Sequence, residues 1–143
     1  MSRRLIIIIV LVVLVAAGAA YKVAKPKHTV KENVNGTIYI LPKGFTINLN
    51  GGQYATLTAA VLLPPGESIG ITTPDNPPPT GFGPLTDEAI VRAIITDDVT
   101  DQPESALLTQ KGRAKLESKI LSDINAQTDI KVKAIYFTDI AVQ

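Results

Sequence analysis

The first apolar run differs in kind from those that follow it. Leu5 to Tyr21 reads LIIIIVLVVLVAAGAAY, with no charged residue and no polar face. A helix of that length rises roughly 25 Å at about 1.5 Å per residue, slightly short of the ~30 Å hydrocarbon core of a bilayer. Arg4 and Lys22 flank it and can snorkel to the interfaces, and Tyr21 sits where an interfacial aromatic belongs. A helix packed on the core of a domain this small would carry a polar face, which this run lacks. Two readings remain. One is a permanent transmembrane helix over 5–21. The other is a cleaved signal peptide, with Arg3 and Arg4 as its positive region and Ala17-Gly18-Ala19 as a small-residue cleavage site. The length of the run favours the anchor. Residues 1–4 are then expected in the cytoplasm and the rest of the chain outside it. Lys22, Lys25, Lys27 and Lys31 oppose that orientation by charge count, but a folded domain of about a hundred residues translocates largely regardless of charge. The cluster Ala16-Ala17-Gly18-Ala19-Ala20 would allow close helix packing in the membrane, or is filler.

After the run, residues 22–36 (KVAKPKHTVKENVNG) offer little apolar surface and read as a Lys-rich stalk, either solvated or touching anionic head groups. Thr37–Leu41 is β-rich and ends at Pro42. Phe45, Ile47 and Leu49 then alternate with Thr46, Asn48 and Asn50, which predicts a strand. Asn50-Gly51-Gly52 predicts a tight turn, and Ala55, Leu57, Ala59, Val61 and Leu63 form one face of a second strand, completing a hairpin. Seven of the ten prolines and four glycines fall between Pro64 and Pro84. This predicts a long irregular loop that carries little of the fold's stability. Thr86 is expected to cap a helix with Asp87 and Glu88 in its first turn, Ile90 and Val91 stacking on Ile94 and Ile95, and the end fraying near Asp97 and Asp98. Thr109 is expected to cap a second helix whose buried stripe is Leu116, Ile120 and Ile124, with Leu121 beside it. Ile130–Val142 predicts a closing strand with Ile130, Val132, Ala134, Tyr136, Ile140 and Val142 on one face, interrupted by Thr138.

The expected fold class is therefore α+β: a transmembrane helix, then a β-β-α-α-β domain over 37–143 with an antiparallel or mixed sheet and helices on one face. A net charge of +1 leaves no broad electrostatic footprint for nucleic acid. The absence of cysteine excludes disulfides, thiolate metal sites and a cysteine nucleophile. His28 is the single histidine and lies in the stalk, so the domain has no histidine for a Ser-His-Asp triad or an imidazole metal site. Asp97, Asp98, Asp101 and Glu104 lack the alternation, central glycine and distal glutamate of a calcium loop. Gly81-Phe82-Gly83 and Lys111-Gly112 match no phosphate-binding pattern. No catalytic, metal-ligating or cofactor-binding residue is expected, and the chain reads as a binding protein and not an enzyme.

From Leu107 onward the chain resembles the flagellar basal-body-associated FliL family. The resemblance rests on Leu107-Leu108-Thr109 followed by Gly112, the helix with Leu116, Ile120 and Leu121, and the ending Ile135-Tyr136-Phe137-Thr138-Asp139-Ile140-Ala141-Val142-Gln143. Phe45-Thr46-Ile47-Asn48-Leu49, the glycine turn with Tyr54, and the helix Ala89–Ile95 fit as well. The Pro64–Pro84 stretch and the small Ala141 depart from the pattern. The resemblance implies a non-catalytic inner-membrane protein whose extracytoplasmic domain looks like the stomatin/SPFH-type fold. It further implies self-association into a homo-oligomeric ring around the motor stator units, supporting torque or swarming motility. A reading from another class is a secreted or surface ligand-binding domain released by signal cleavage.

Overall fold

The most regular apolar alternation in the chain forms its central strand. The computed structural model describes residues 34–67, 69, 70, 75 and 77–143. The expected transmembrane run and the stalk through Asn33 lie outside the described residues. Among the described residues, no helix is long and apolar enough to cross a membrane. Strand β3, Tyr54–Leu63, sends Ala55, Leu57, Ala59, Val61 and Leu63 into the core, each at most 1% exposed. Strands β1 (Thr37–Ile40) and β2 (Phe45–Asn48) both pair antiparallel with it, β1 opposite Ala60–Leu63 and β2 opposite Tyr54–Leu57. Strand β4, Ala134–Val142, pairs antiparallel along the other edge from Leu62 to Ala55. β1 and β2 are thus two halves of one edge strand.

That edge breaks at Leu41–Gly44. The Leu41 N–H still reaches the Ala59 carbonyl at 3.0 Å, but Pro42 has no N–H to continue the ladder. The turn between β2 and β3 is the expected one: Gly51 and Gly52 take φ of 84° and 80°, which side chains other than glycine rarely adopt.

Three helices follow: α1 Glu88–Val99, the single turn α2 Ser105–Leu108, and α3 Gln110–Gln127. α1 departs from expectation at both ends. Thr86 does not cap it. Asp87, left-handed at φ 55°, precedes the first turn, while the Thr86 N–H donates to the Ile69 carbonyl at 3.1 Å. The C-terminus does not fray at Asp97, because Lys119 of α3 pairs with Asp98 and offsets the unfavourable carboxylate there. Ile90 is 46% exposed, so Val91, Ile94, Ile95 and Val99 form the buried face without it. α2 was not expected. Thr109 caps α3 as read, its hydroxyl accepting the Gly112 N–H at 3.0 Å, and Leu116, Ile120 and Ile124 are buried.

The closing segment differs from its expected single alternation. Ile130 and Val132 are buried, but they precede the strand, held by Asn125, which accepts the Val132 N–H at 3.1 Å and donates to the Val132 carbonyl at 3.0 Å. Within β4 the inward residues are Ile135, Phe137, Ile140 and Val142, whereas Tyr136 is 38% exposed on the outer face. The reason is a β-bulge. Ala59 faces Phe137 and Leu57 faces Ile140, so Thr138 and Asp139 together oppose Thr58 and the parity changes between the two halves.

Among the described residues the fold is α+β with one antiparallel sheet. A single core joins the sheet's inner residues to Val91, Ile95 and Val99 of α1, Leu107 of α2 and Ile120 and Ile124 of α3. The described residues of the Pro64–Pro84 stretch form no helix or strand, but the stretch is not detached. Ile69 packs against the core, and Leu85, just beyond the stretch, is 4% exposed.

Candidate interaction surface

The helices cover one face of the sheet, so the other face is where surface chemistry is displayed. That face has two halves. Where the chain comes in at Val34, the ladder places Ile38 opposite Leu62 and Leu62 opposite Ala134, then Ile40 opposite Ala60 and Ala60 opposite Tyr136. Directly paired residues share a face, so these rows form one apolar strip across three strands. Ile38 is 52% exposed and Ile40 59%, while Ala60 and Leu62 beneath are nearly closed off at 2% and 5%. The far half is polar, with Thr46 opposite Thr56, Asn48 opposite Tyr54, and the Tyr54 hydroxyl donating to Gln143 at 2.6 Å. A clustered apolar patch on an otherwise polar sheet face marks a surface meant to be covered. The sequence signal was the pattern Ile38-Tyr39-Ile40-Leu41, apolar on both faces, where a strand with one solvated face would alternate.

The ionisable groups serve the fold around this strip. Glu88 is buried at the start of α1, where its Oε2 accepts the Tyr39 hydroxyl at 2.6 Å and the Gly83 N–H at 2.8 Å. Burial, then the bond to Glu88, pushes the Tyr39 phenol well above its ordinary range. Arg92 of α1 fills the break in the edge strand, donating to the Lys43 carbonyl at 2.7 Å and the Gly44 carbonyl at 3.3 Å, with its guanidinium 4.2 Å from the Phe45 ring centroid. On the other edge, Glu117 of α3 accepts the Phe137 N–H at 3.3 Å. Burial raises the Glu117 carboxyl, against the lowering effects of that bond and of Arg113. Both sheet edges are thus partly occupied by helix side chains, which limits open-ended strand pairing.

The acidic residues noted in the sequence do not converge. Asp98 turns to Lys119, Glu104 accepts from Gln53 at 3.1 Å, and the backbone N–H of Asp101 is held by the Asn48 carbonyl at 3.1 Å. Among the described residues no group of His, Cys, Asp or Glu is gathered to hold a metal ion. His28 lies outside the described residues.

Sheet, helices and uncovered strip define an α+β domain with one open sheet face. Residues 38–143 match the family model described as flagellar basal body-associated protein FliL. The chain belongs to that family and is a flagellar basal-body-associated protein, as its closing residues led one to expect. Comparison with curated proteins one at a time gave no match.

Proposed function

We propose that this protein is anchored by a single helix over 5–21 in the inner membrane, holds its α+β domain outside the cytoplasm on the 22–36 stalk, and self-associates into a ring beside the flagellar stator units. In that position it supports torque or swarming by contact, without catalysis. The reading takes the domain as akin to the stomatin/SPFH type, in which self-association is the working mode. The observation that carries it is the exposed apolar strip of Ile38, Ile40 and Tyr136, on the half of the sheet that holds β1, the first strand of the domain. Copies held at one height by their anchors would bring these strips to the same level.

The test is Ile38→Lys with Ile40→Lys, two outward positions on an edge strand where lysine is tolerated. Cross-linking in native membranes should trap multimers of the wild type and only single chains of the variant, with motility reduced and the domain still folded. Multimers that persist undiminished in the variant would sink the assignment of this face.

A further inference from the structure

A second surface lies at the opposite end of the domain. α3 carries the chain over roughly 27 Å at about 1.5 Å per residue, and its C-terminus leads through Lys133, whose Nζ donates to the Asn35 carbonyl, to the end where Val34 comes in. Its N-terminus therefore lies at the far end, beside Gln102, whose carbonyl accepts the Asn50 N–H at 3.1 Å. There a groove of about 640 Å³ opens between α2 and α3. Lys111, Lys115 and Lys119 stand on one rim, four residues apart and so on one helix face. Asp98 and Asp123 occupy Lys119. Lys111 and Lys115 have no ion-pair partner among the described residues, and no carboxylate lines the groove. Away from the lysines the lining is neutral, with Leu116, Ala106 and Pro103 apolar beside Gln102, Ser105 and Thr109.

We propose that this groove docks an extended acidic peptide segment of a partner protein. Two carboxylates at alternate positions of an extended chain are about 6.6 Å apart, and two lysines one helical step of four residues apart are separated by about 6 Å along the axis. A segment of the form acid–aliphatic–acid would thus set both carboxylates against Lys111 and Lys115. Its intervening side chain would turn to the wall of Pro103 and Ala106. A lipid headgroup offers the charge without the apolar side chain, and the groove faces away from the end where the chain comes in. The inference is independent of the Ile38–Ile40 strip, and its failure would leave that reading untouched.

The test uses the full chain in neutral phosphatidylcholine nanodiscs and a fluorescein-labelled peptide, Gly-Glu-Leu-Glu-Leu-Glu-Gly, read by anisotropy. Saturable binding is expected, weakening as salt rises. Lys111→Gln with Lys115→Gln should weaken it at least about fivefold, the scale of two solvent-facing ion pairs. Exchanging the peptide's glutamates for glutamines should do the same without touching the protein. Lys43→Gln with Lys131→Gln, equal in charge change but elsewhere, should leave binding unchanged. Any of four results overturns the proposal: no saturable binding, equal loss in the two lysine pairs, displacement of the peptide by phosphatidylglycerol vesicles as effective as by unlabelled peptide, or self-association of the chain that depends on Lys111 and Lys115.

Discussion

Tyr39 on β1 donates its phenolic hydrogen to Glu88 on α1 at 2.6 Å, joining residues 49 apart in the chain. The same carboxylate oxygen accepts from Gly83, so a single buried group ties the edge strand, the first helix and the end of the proline-rich stretch together. The other oxygen, Oε1, has no partner among the described residues. A carboxylate so placed depends on the donors it has.

Tyr39→Phe should therefore lower stability at neutral pH by about 1–3 kcal/mol, the cost of removing a donor from a buried acceptor, measurable by urea unfolding. It should also change the alkaline limb. The folded state holds the Tyr39 proton more tightly than the unfolded chain. Its contribution is intact below the ordinary tyrosine pKa of about 10 and is lost as pH rises above it. Wild type should lose stability faster than Tyr39→Phe above that pH, and parallel slopes would refute the assignment.

Lys119→Ala should leave Asp98, only 9% exposed, without its cation. Lys119 itself is half exposed, so a cost of about 1–2 kcal/mol is expected, between that of a surface pair and a buried one. Adding Asp98→Asn should recover part of the loss, because the stranded charge is gone. Chemical denaturation of the single and double variants decides the point, and strict additivity of the two changes would deny the coupling.

Deleting Asp139 would remove the extra residue of the bulge and leave Thr138 alone opposite Thr58, with Ile140 and Val142 still turned to the core. Deleting Thr138 as well would place Ile140 directly after Phe137 and turn Ile140 and Val142 toward the outer face. Both are only partly buried, so the added cost should fall at or below the roughly 3–6 kcal/mol of two fully buried aliphatic side chains. Thermal melts of the two variants should show the single deletion as the more stable. The reverse order would mean that the bulge is not what sets the register.

Gly112→Ala should push α2 away from α3, because a methyl group at Gly112 would meet the Ser105 carbonyl and the Ala106 backbone. The expected loss is about 1–3 kcal/mol, the range for overpacking a tight contact. A variant as stable as wild type by calorimetry would show that α2 shifts freely.

The hairpin of β2 and β3 was legible because its two signals agree: period-two alternation and glycines in the turn. The buried stripe of α3 was legible for the same kind of reason, a regular apolar spacing behind the Thr109 cap. The parity of β4 was not, because nothing in Thr138-Asp139 distinguishes two residues sharing one partner from a strand that simply continues. Glu88 read as a first-turn acid complementing the helix dipole. Its burial depends on Tyr39 and Gly83, which only the tertiary fold brings to it. The uncovered strip could have been read from Ile38 and Ile40, whose neighbours Tyr39 and Leu41 already supplied the inner face.

The position of β4 also sets a clock. β3 is sandwiched between the edge strand and β4, and Thr138 reaches Thr58 across 80 residues of chain. Contacts so distant in sequence form late, since loop closure must precede the contacts that reward it. The β2–β3 hairpin can form locally with one flank unsatisfied, and the sheet cannot close until the β4 segment has joined it. During that interval the apolar inner row of β3 is exposed to any sticky neighbour. The hairpin thus waits, open along one flank, for a segment some 80 residues further along the chain to complete it.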